Sequence, residues 1–250
     1  MRPALVRAAL IPISFDGTGG IRGGILMAEA QTHSYILLDR TGSMSGIWDE
    51  ALSSVNAYAA NIASTAGDVV PRVTLAVFDA QDGLQFDVLR RSVAPKDWKP
   101  VDNSEASPRG MTPLFDAIAR IIAMAETDKP EKAVIVIMTD GAENASREVT
   151  KDGVKAALDR AAKHGWEVVF LGAEFANFAD ADAVGISASK SMAMGAGRMS
   201  DSMAKLARKS QAYYAAEAAA PVVFDEADRE EAGEADVQKR KGAGFFKSKK

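Results

Sequence analysis

The chain has 250 residues, 47% of them apolar and 26% charged, with a formal net charge of −4 and no cysteine. That length suits one sizeable domain with appendages, and the composition is that of a globular protein with a full core, not of a disordered or fibrous chain. The lack of cysteine excludes disulfides, thiolate zinc sites and cysteine nucleophiles, and the weakly acidic balance offers no global attraction to nucleic acid or an anionic membrane surface.

In chain order, residues 1–31 carry Gly17, Gly19, Gly20, Gly23 and Gly24 with little periodicity and read as a flexible leader. No strand precedes these glycines and they do not form G-x-G-x-x-G, which favours a linker over a phosphate cradle. Arg7 and Pro12 interrupt the apolar residues between Leu5 and Ile13, so this is a poor secretory signal; a cytoplasmic location is expected, and Met27 is a second candidate start. The longest strongly apolar run, Ala133 to Met138, falls far short of the roughly 20 residues a membrane helix requires.

From residue 34 the pattern changes. Ser34 to Asp39 is a short apolar run ending in a polar, Gly-containing turn, as a buried parallel strand should. Similar runs follow at Arg72–Asp79, Leu84–Arg90, Ala133–Asp140 and Glu167–Gly172. Ala80-Gln-Asp-Gly83 is a hairpin signal and predicts one antiparallel edge strand. Trp48, Leu52, Val55, Ala59 and Ile62 recur at helical spacing, as do Leu114, Ile118, Ile121 and Ala125. A third helix is expected after Ser146, a good N-cap, ending at His164-Gly165. Strands alternating with helices predict a doubly wound α/β fold: a mostly parallel sheet with one antiparallel edge strand and helices on both faces, its ligand sites beyond the carboxyl ends of the strands.

Past residue 188 the sheet pattern fades into a Met/Gly stretch and a helix from Met199 to Ala218, so the domain is expected over 32–190 with a helical extension over 191–220. Between Asp225 and Asp236 seven acids face one arginine, and from Lys239 to Lys250 six basic residues face no acid. Such blocks are usually solvated, so 221–250 is expected to be a disordered charged tail.

The residues that could carry chemistry sit where predicted strands end: Asp39, Thr41 and Ser43 after the first, Thr112 at the start of a helix, and Asp140 after the fourth. Two carboxylates and three hydroxyls form an oxygen-only donor set suited to Mg²⁺ or Mn²⁺ rather than zinc or copper. Each member also has a plainer reading. Thr112 before Pro113 is a good helix N-cap, Ser43 or Ser45 could cap the helix running to Ile62, and Asp140-Gly141 alone is a turn.

Jointly, Asp39-x-Thr41-x-Ser43, then Thr112 in Gly110-Met-Thr-Pro-Leu-Phe-Asp-Ala-Ile, then Asp140 in Thr139-Asp-Gly, resemble the metal-ion-dependent adhesion site of von Willebrand factor A domains. The resemblance covers residues 32–190, and departs from the usual pattern only in having Thr41 where the family has serine, which keeps the hydroxyl. It implies an intracellular, bacterial or phage-like member in which Thr41 and Ser43 coordinate Mg²⁺ or Mn²⁺, with Thr112, Asp39 and Asp140 acting directly or through water. An ion with few anionic ligands keeps the Lewis acidity to accept an Asp or Glu carboxylate from a partner protein. An AAA-class ATPase in a separate chain is one kind of partner the resemblance implies. Asn144 is a candidate to steady the loop.

Two other function classes compete with this non-enzymatic binding module. A Mg²⁺-dependent phosphoryl-transfer enzyme could use Asp39 as nucleophile, but the general acid that haloacid-dehalogenase-type enzymes have two residues later is here Thr41. An assembly protein could use its tail as the interface, in which case binding would survive chelation. Serine hydrolysis is disfavoured because Gly42-Ser-Met-Ser-Gly46 has methionine where the nucleophile belongs, and no G-x-x-x-x-G-K-[ST] is present.

Overall fold

A computed structural model describes residues 32–65, 69–173, 181–182, 184–217 and 220–239. The expected leader, and the basic block beyond Lys239, lie outside the described residues. The strands are β1 (Thr32–Asp39), β2 (Arg72–Ala80), β3 (Leu84–Val93), β4 (Lys132–Thr139), β5 (Glu167–Ala173) and β6 (Ser191–Met194). The principal helices are α1 (Trp48–Ser64), α2 (Leu114–Asp128), α3 (Lys151–Lys163), α4 (Met199–Ala215) and a short α5 (Glu226–Glu231). One sheet runs β3-β2-β1-β4-β5-β6, with every neighbour parallel except the β2/β3 hairpin. This is the α/β fold predicted from the alternating runs.

The period of two along each strand divides the core in two. Ile36 and Leu38 of β1 face one side with Val134, Val136 and Met138 of β4, covered by α1 and α4. Tyr35 and Leu37 face the other side with Ile135 and Ile137, covered by α2 and α3. All eight residues of β1 are buried, as its central place in the sheet requires, whereas β3 is half exposed at the edge. Among the described residues no helix is long and apolar enough to cross a membrane.

The structure departs from the sequence-based expectation in three places. The sheet does not end near residue 190. β6, only four residues long and lacking β-branched side chains, extends it, and α4 lays Met199, Met203, Leu206 and Tyr214 into the same core as α1. A polar knot ties α4 to the sheet: the Ser34 hydroxyl lies 2.9 Å from both Tyr58 Oη and Tyr214 Oη, and Tyr214 donates to His33 O. The helical extension is therefore part of the domain.

The second correction concerns the acidic block, which is not a solvated tail. Val222, Phe224, Ala232 and Val237 are buried, and backbone bonds from Phe224 to Ser189 and from Gly195 to Ala232, both 2.8 Å, fasten this segment along β6. Asp228 completes a capping box with Asp225 and pairs with Lys205 and Lys209 of α4 at 3.2 and 2.7 Å. Charge counting failed because the counter-ions sit on a different helix.

The third is the start of α3, which begins at Lys151 and not after Ser146. Thr150 caps it, accepting from Gly153 N. Ser146 is engaged elsewhere, donating to Glu143, and Asp116 of α2 holds the backbone N–H groups of Arg147, Glu148 and Val149.

Candidate metal site

β1 pairs with β2 on one side and β4 on the other, and the chain leaves the two central strands toward opposite faces, into α1 and α3. A crevice opens at such a switch point. Asp39 ends β1 and Asp140 follows β4. The parallel register pairs Leu38 with Met138, and one residue on, Asp39 and Thr139 meet through a side-chain hydrogen bond.

The five predicted donors come together there. The Asp39 carboxylate is fully buried, with Oδ1 accepting from Thr41 N at 2.7 Å and Oδ2 from the Thr139 hydroxyl at 2.5 Å. Thr41 Oγ1 lies 3.1 Å from Ser43 Oγ and 3.4 Å from Thr112 Oγ1. Ser43 donates to Asp140 Oδ1 at 2.7 Å. Asp39, Thr41, Thr112 and Asp140 are buried, and Ser43 is exposed at the mouth.

The capping alternatives do not describe these residues. Pro113 occupies the N-cap of α2 and Ile47 that of α1, neither helix having a side-chain cap bond. Phe115 N is satisfied by Glu143 Oε2 at 2.9 Å, which frees the Thr112 hydroxyl to turn toward Thr41. Ser45 donates back to Gly42 O within a 3-10 turn over Gly42–Gly46. Asn144 clamps the Thr112 backbone, its Oδ1 accepting from Thr112 N at 2.9 Å while its own N–H donates to Thr112 O at 3.1 Å. That is the loop-steadying place expected for it.

Burial pushes the Asp39 carboxyl up to about 6, against hydrogen bonds from Thr139 and Thr41 that favour its charged form. Burial also raises Asp140, opposed by Ser43. Among the described residues neither carboxylate has an ion pair. The donor spacings fit a cation: an octahedral Mg²⁺ with metal–oxygen bonds of about 2.1 Å has neighbouring oxygens about 3 Å apart. A Cβ at Gly141 would stand 3.1 Å from Thr112 Oγ1 and 3.7 Å from Ser43 Oγ, so the bare glycine keeps the cradle open. Among the described residues no three His, Cys, Asp or Glu side chains gather as a metal cluster.

Five residues that frame the site were not singled out from the sequence. Thr139 stood inside a quoted motif without a role. Asp79, at the end of β2, is buried and accepts from Arg40 Nε at 2.7 Å and Arg109 Nε at 3.1 Å, and Arg40 also reaches Asp87 at 2.5 Å. Arg40 occupies a variable motif position, and nothing in the linear pattern links residues 40, 79 and 109. Gly110 sits between them at φ +71, where a Cβ would come within 2.5 Å of Ala80 O.

No protein-family model matches the sequence, and no curated protein matches it either. Solved structures are similar in fold. The pilus adhesin SpaC of Lactobacillus rhamnosus GG, in an open conformation, superposes with a TM-score of 0.61 at 13% identity over 74% of this chain and 31% of the adhesin. The vWF domain of the type V pili tip protein of Porphyromonas gingivalis gives 0.57 at 9% identity over 76% of this chain and 98% of that domain. Proximal thread matrix protein 1 of the mussel byssus, with a zinc-occupied MIDAS motif, gives 0.50 at 14% identity over 73% of this chain and 48% of that protein. The chain thus spans under half the length of the mussel protein and about a third of the adhesin. With its parallel six-stranded sheet, antiparallel edge hairpin and helices on both faces, the chain has the von Willebrand factor A-type fold.

Proposed function

We propose that this chain is a divalent-cation-dependent protein-binding module in which Asp39, Thr41, Ser43, Thr112 and Asp140 hold Mg²⁺ or Mn²⁺ and the ion accepts an Asp or Glu carboxylate from a partner. The observation that carries this reading is the convergence of three loops on one oxygen-lined crevice, with hydroxyls 3.1 to 3.4 Å apart and two carboxylates lacking cationic partners among the described residues. When bound, the cation supplies Lewis acidity toward an incoming carboxylate. The protein's own part is to hold the donors: Thr139 and Thr41 N fix Asp39, Asn144 fixes Thr112, and Asp140 orients Ser43. The zinc-occupied motif of the mussel protein supports a divalent ion at this place in the fold, and the adhesins support a binding role.

The competing readings are less well supported. Both oxygens of Asp39 are engaged and the side chain is fully buried, a poor arrangement for a nucleophile that must reach phosphorus. The acidic half of the tail proposed as an assembly interface is packed on β6 and α4, and its basic half lies outside the described residues. An AAA-class ATPase as partner rests on the family resemblance alone. Calorimetric titration of Mg²⁺ and Mn²⁺ into the chelated protein tests the reading. One saturable site, lost in Ser43→Ala and Asp140→Ala with folding intact by circular dichroism, is the expected result; retention of affinity in both variants removes the reading.

A further inference from the structure

The rim of the crevice carries two side chains that the metal does not need. The loop leading to Thr112 is held at nearly every backbone polar group: Arg109 N donates to Arg40 O at 2.8 Å, Gly42 N to Gly110 O at 3.2 Å, and Ala80 and Met111 exchange bonds of 2.9 and 3.2 Å. A loop so fixed presents its side chains at defined positions. Met111 points outward with 55% of its surface exposed, one of three exposed large apolar residues among those described, with Val70 and Val88. The Arg109 side chain is 43% exposed, and buried Asp79 anchors it by Nε alone. Among the described residues its two terminal nitrogens have no hydrogen-bond partner, so the outer edge of the guanidinium faces solvent as a ready fork for a carboxylate. Asp79 is shared with Arg40, which also pairs with Asp87, so the two guanidinium groups are balanced by two carboxylates, and what the rim offers a partner is the open donor edge of Arg109. Arg109 lies three residues before Thr112, no more than about 11 Å away along the chain.

We propose that Arg109 and Met111 determine specificity on this face: they select a partner segment that offers a second carboxylate to Arg109 and an apolar side chain to Met111, beside the carboxylate that meets the cation. This rests on the metal-dependent reading above. In an extended segment, side chains two residues apart lie about 7 Å apart on one face, so the two acids should be separated by two to four residues.

The test uses the full chain and an array of 12-residue synthetic peptides. Each has a central Glu in a Gly/Ser background, with or without a second Asp or Glu two to four residues away, and with or without a neighbouring Leu. Wild type, Arg109→Gln, Arg109→Lys and Met111→Ser are probed in Mg²⁺ and in EDTA, with Mg²⁺ affinity measured for each by calorimetry. Wild type is expected to favour the two-acid peptides about tenfold over one-acid peptides, the scale of a charge-assisted hydrogen bond. Arg109→Gln should abolish that preference, Arg109→Lys should keep part of it, and Met111→Ser should lose the Leu preference, all with unchanged Mg²⁺ affinity. Magnesium-dependent binding with the same preferences in every variant overturns the specificity assignment and leaves the metal reading standing. Peptide binding that ignores EDTA, or no peptide binding at all, overturns both.

Discussion

Thr139 donates its hydroxyl to Asp39 Oδ2 at 2.5 Å across the junction of β1 and β4, joining the ends of the two central strands beneath the candidate metal site. A buried carboxylate deprived of a donor bears its desolvation alone, at about 1–3 kcal/mol. Thr139→Val, which keeps the shape and removes the hydroxyl, should therefore lower stability by about 1–2 kcal/mol in urea titrations at pH 7 and weaken Mg²⁺ binding. Thr139→Ser should behave nearly as wild type.

Gly141→Ala separates the cradle from the fold. The added methyl would stand 3.1 Å from Thr112 Oγ1, in the space the donors enclose, with the three nearest atoms all belonging to Thr112 and Ser43. Cation affinity should fall at least about tenfold, with a change in melting temperature of a few degrees at most. Unchanged calorimetric affinity would place the ion elsewhere.

Two buried groups should give opposite pH dependences in the metal-free protein. Asp39, raised from 3.8 to about 6, holds a proton in the folded state that the unfolded chain has released between those values, so its contribution to stability falls as pH rises through that window. His33 is lowered from 6.5 to about 4, chiefly by burial, with Asp128 opposing the shift and Arg91 and Arg72 reinforcing it. Between those values the unfolded chain holds the proton that folded His33 lacks, so its contribution rises with pH. Each amounts to about 3 kcal/mol, so the wild type should show little slope from these two groups between pH 4 and 6. His33→Gln should make stability fall with pH relative to wild type, and Asp39→Asn should make it rise, read from urea midpoints across the range.

The same raised value of Asp39 sets the pH dependence of cation binding. A proton and a divalent ion compete for this carboxylate, so Mg²⁺ affinity should decline as pH drops below about 6 and be level above about 7. Excess Mg²⁺ should raise the melting temperature more at pH 7.5 than at pH 5, because only binding to the folded state stabilises it.

Removing residues 221–250 should be costly. Val222, Phe224, Ala232 and Val237 are buried, the first three in the core that β6 and α4 share, and at roughly 1.5–3 kcal/mol per large apolar side chain the loss should exceed about 3 kcal/mol. The uncovered β6 edge should also promote self-association, visible by light scattering. A truncated chain that melts and behaves like wild type would mean that this segment does not pack as described.

The sequence carried the sheet and the convergence of the five candidate donors because both are written in local patterns. Apolar runs of strand length mark β1, β2, β4 and β5; four of the candidate donors end or directly follow β1 and β4, and Thr112 opens the helical pattern of α2. What stayed hidden depends on partners distant in sequence. Asp79 reads as the end of an apolar run until Arg40 and Arg109 are brought to it. Ser146 has the chemistry of an N-cap, but Glu143 and Asp116 take up the groups it would have served. β6 is too short and too rich in methionine and alanine to show a strand pattern. The acid block looks solvated until Lys205 and Lys209 of α4 are set against Asp228.

The polar knot joining Ser34 to Tyr214 closes contacts across 180 residues of chain. Contacts so distant in sequence are slow to form, since loop closure precedes any gain from packing. During synthesis, β1 and α1 emerge long before the helix that covers them, and the face of Ile36, Val136 and Met138 waits open until residue 214 has left the ribosome. The moment of greatest exposure to aggregation therefore falls late in translation, when most of the sheet exists and its last cover does not.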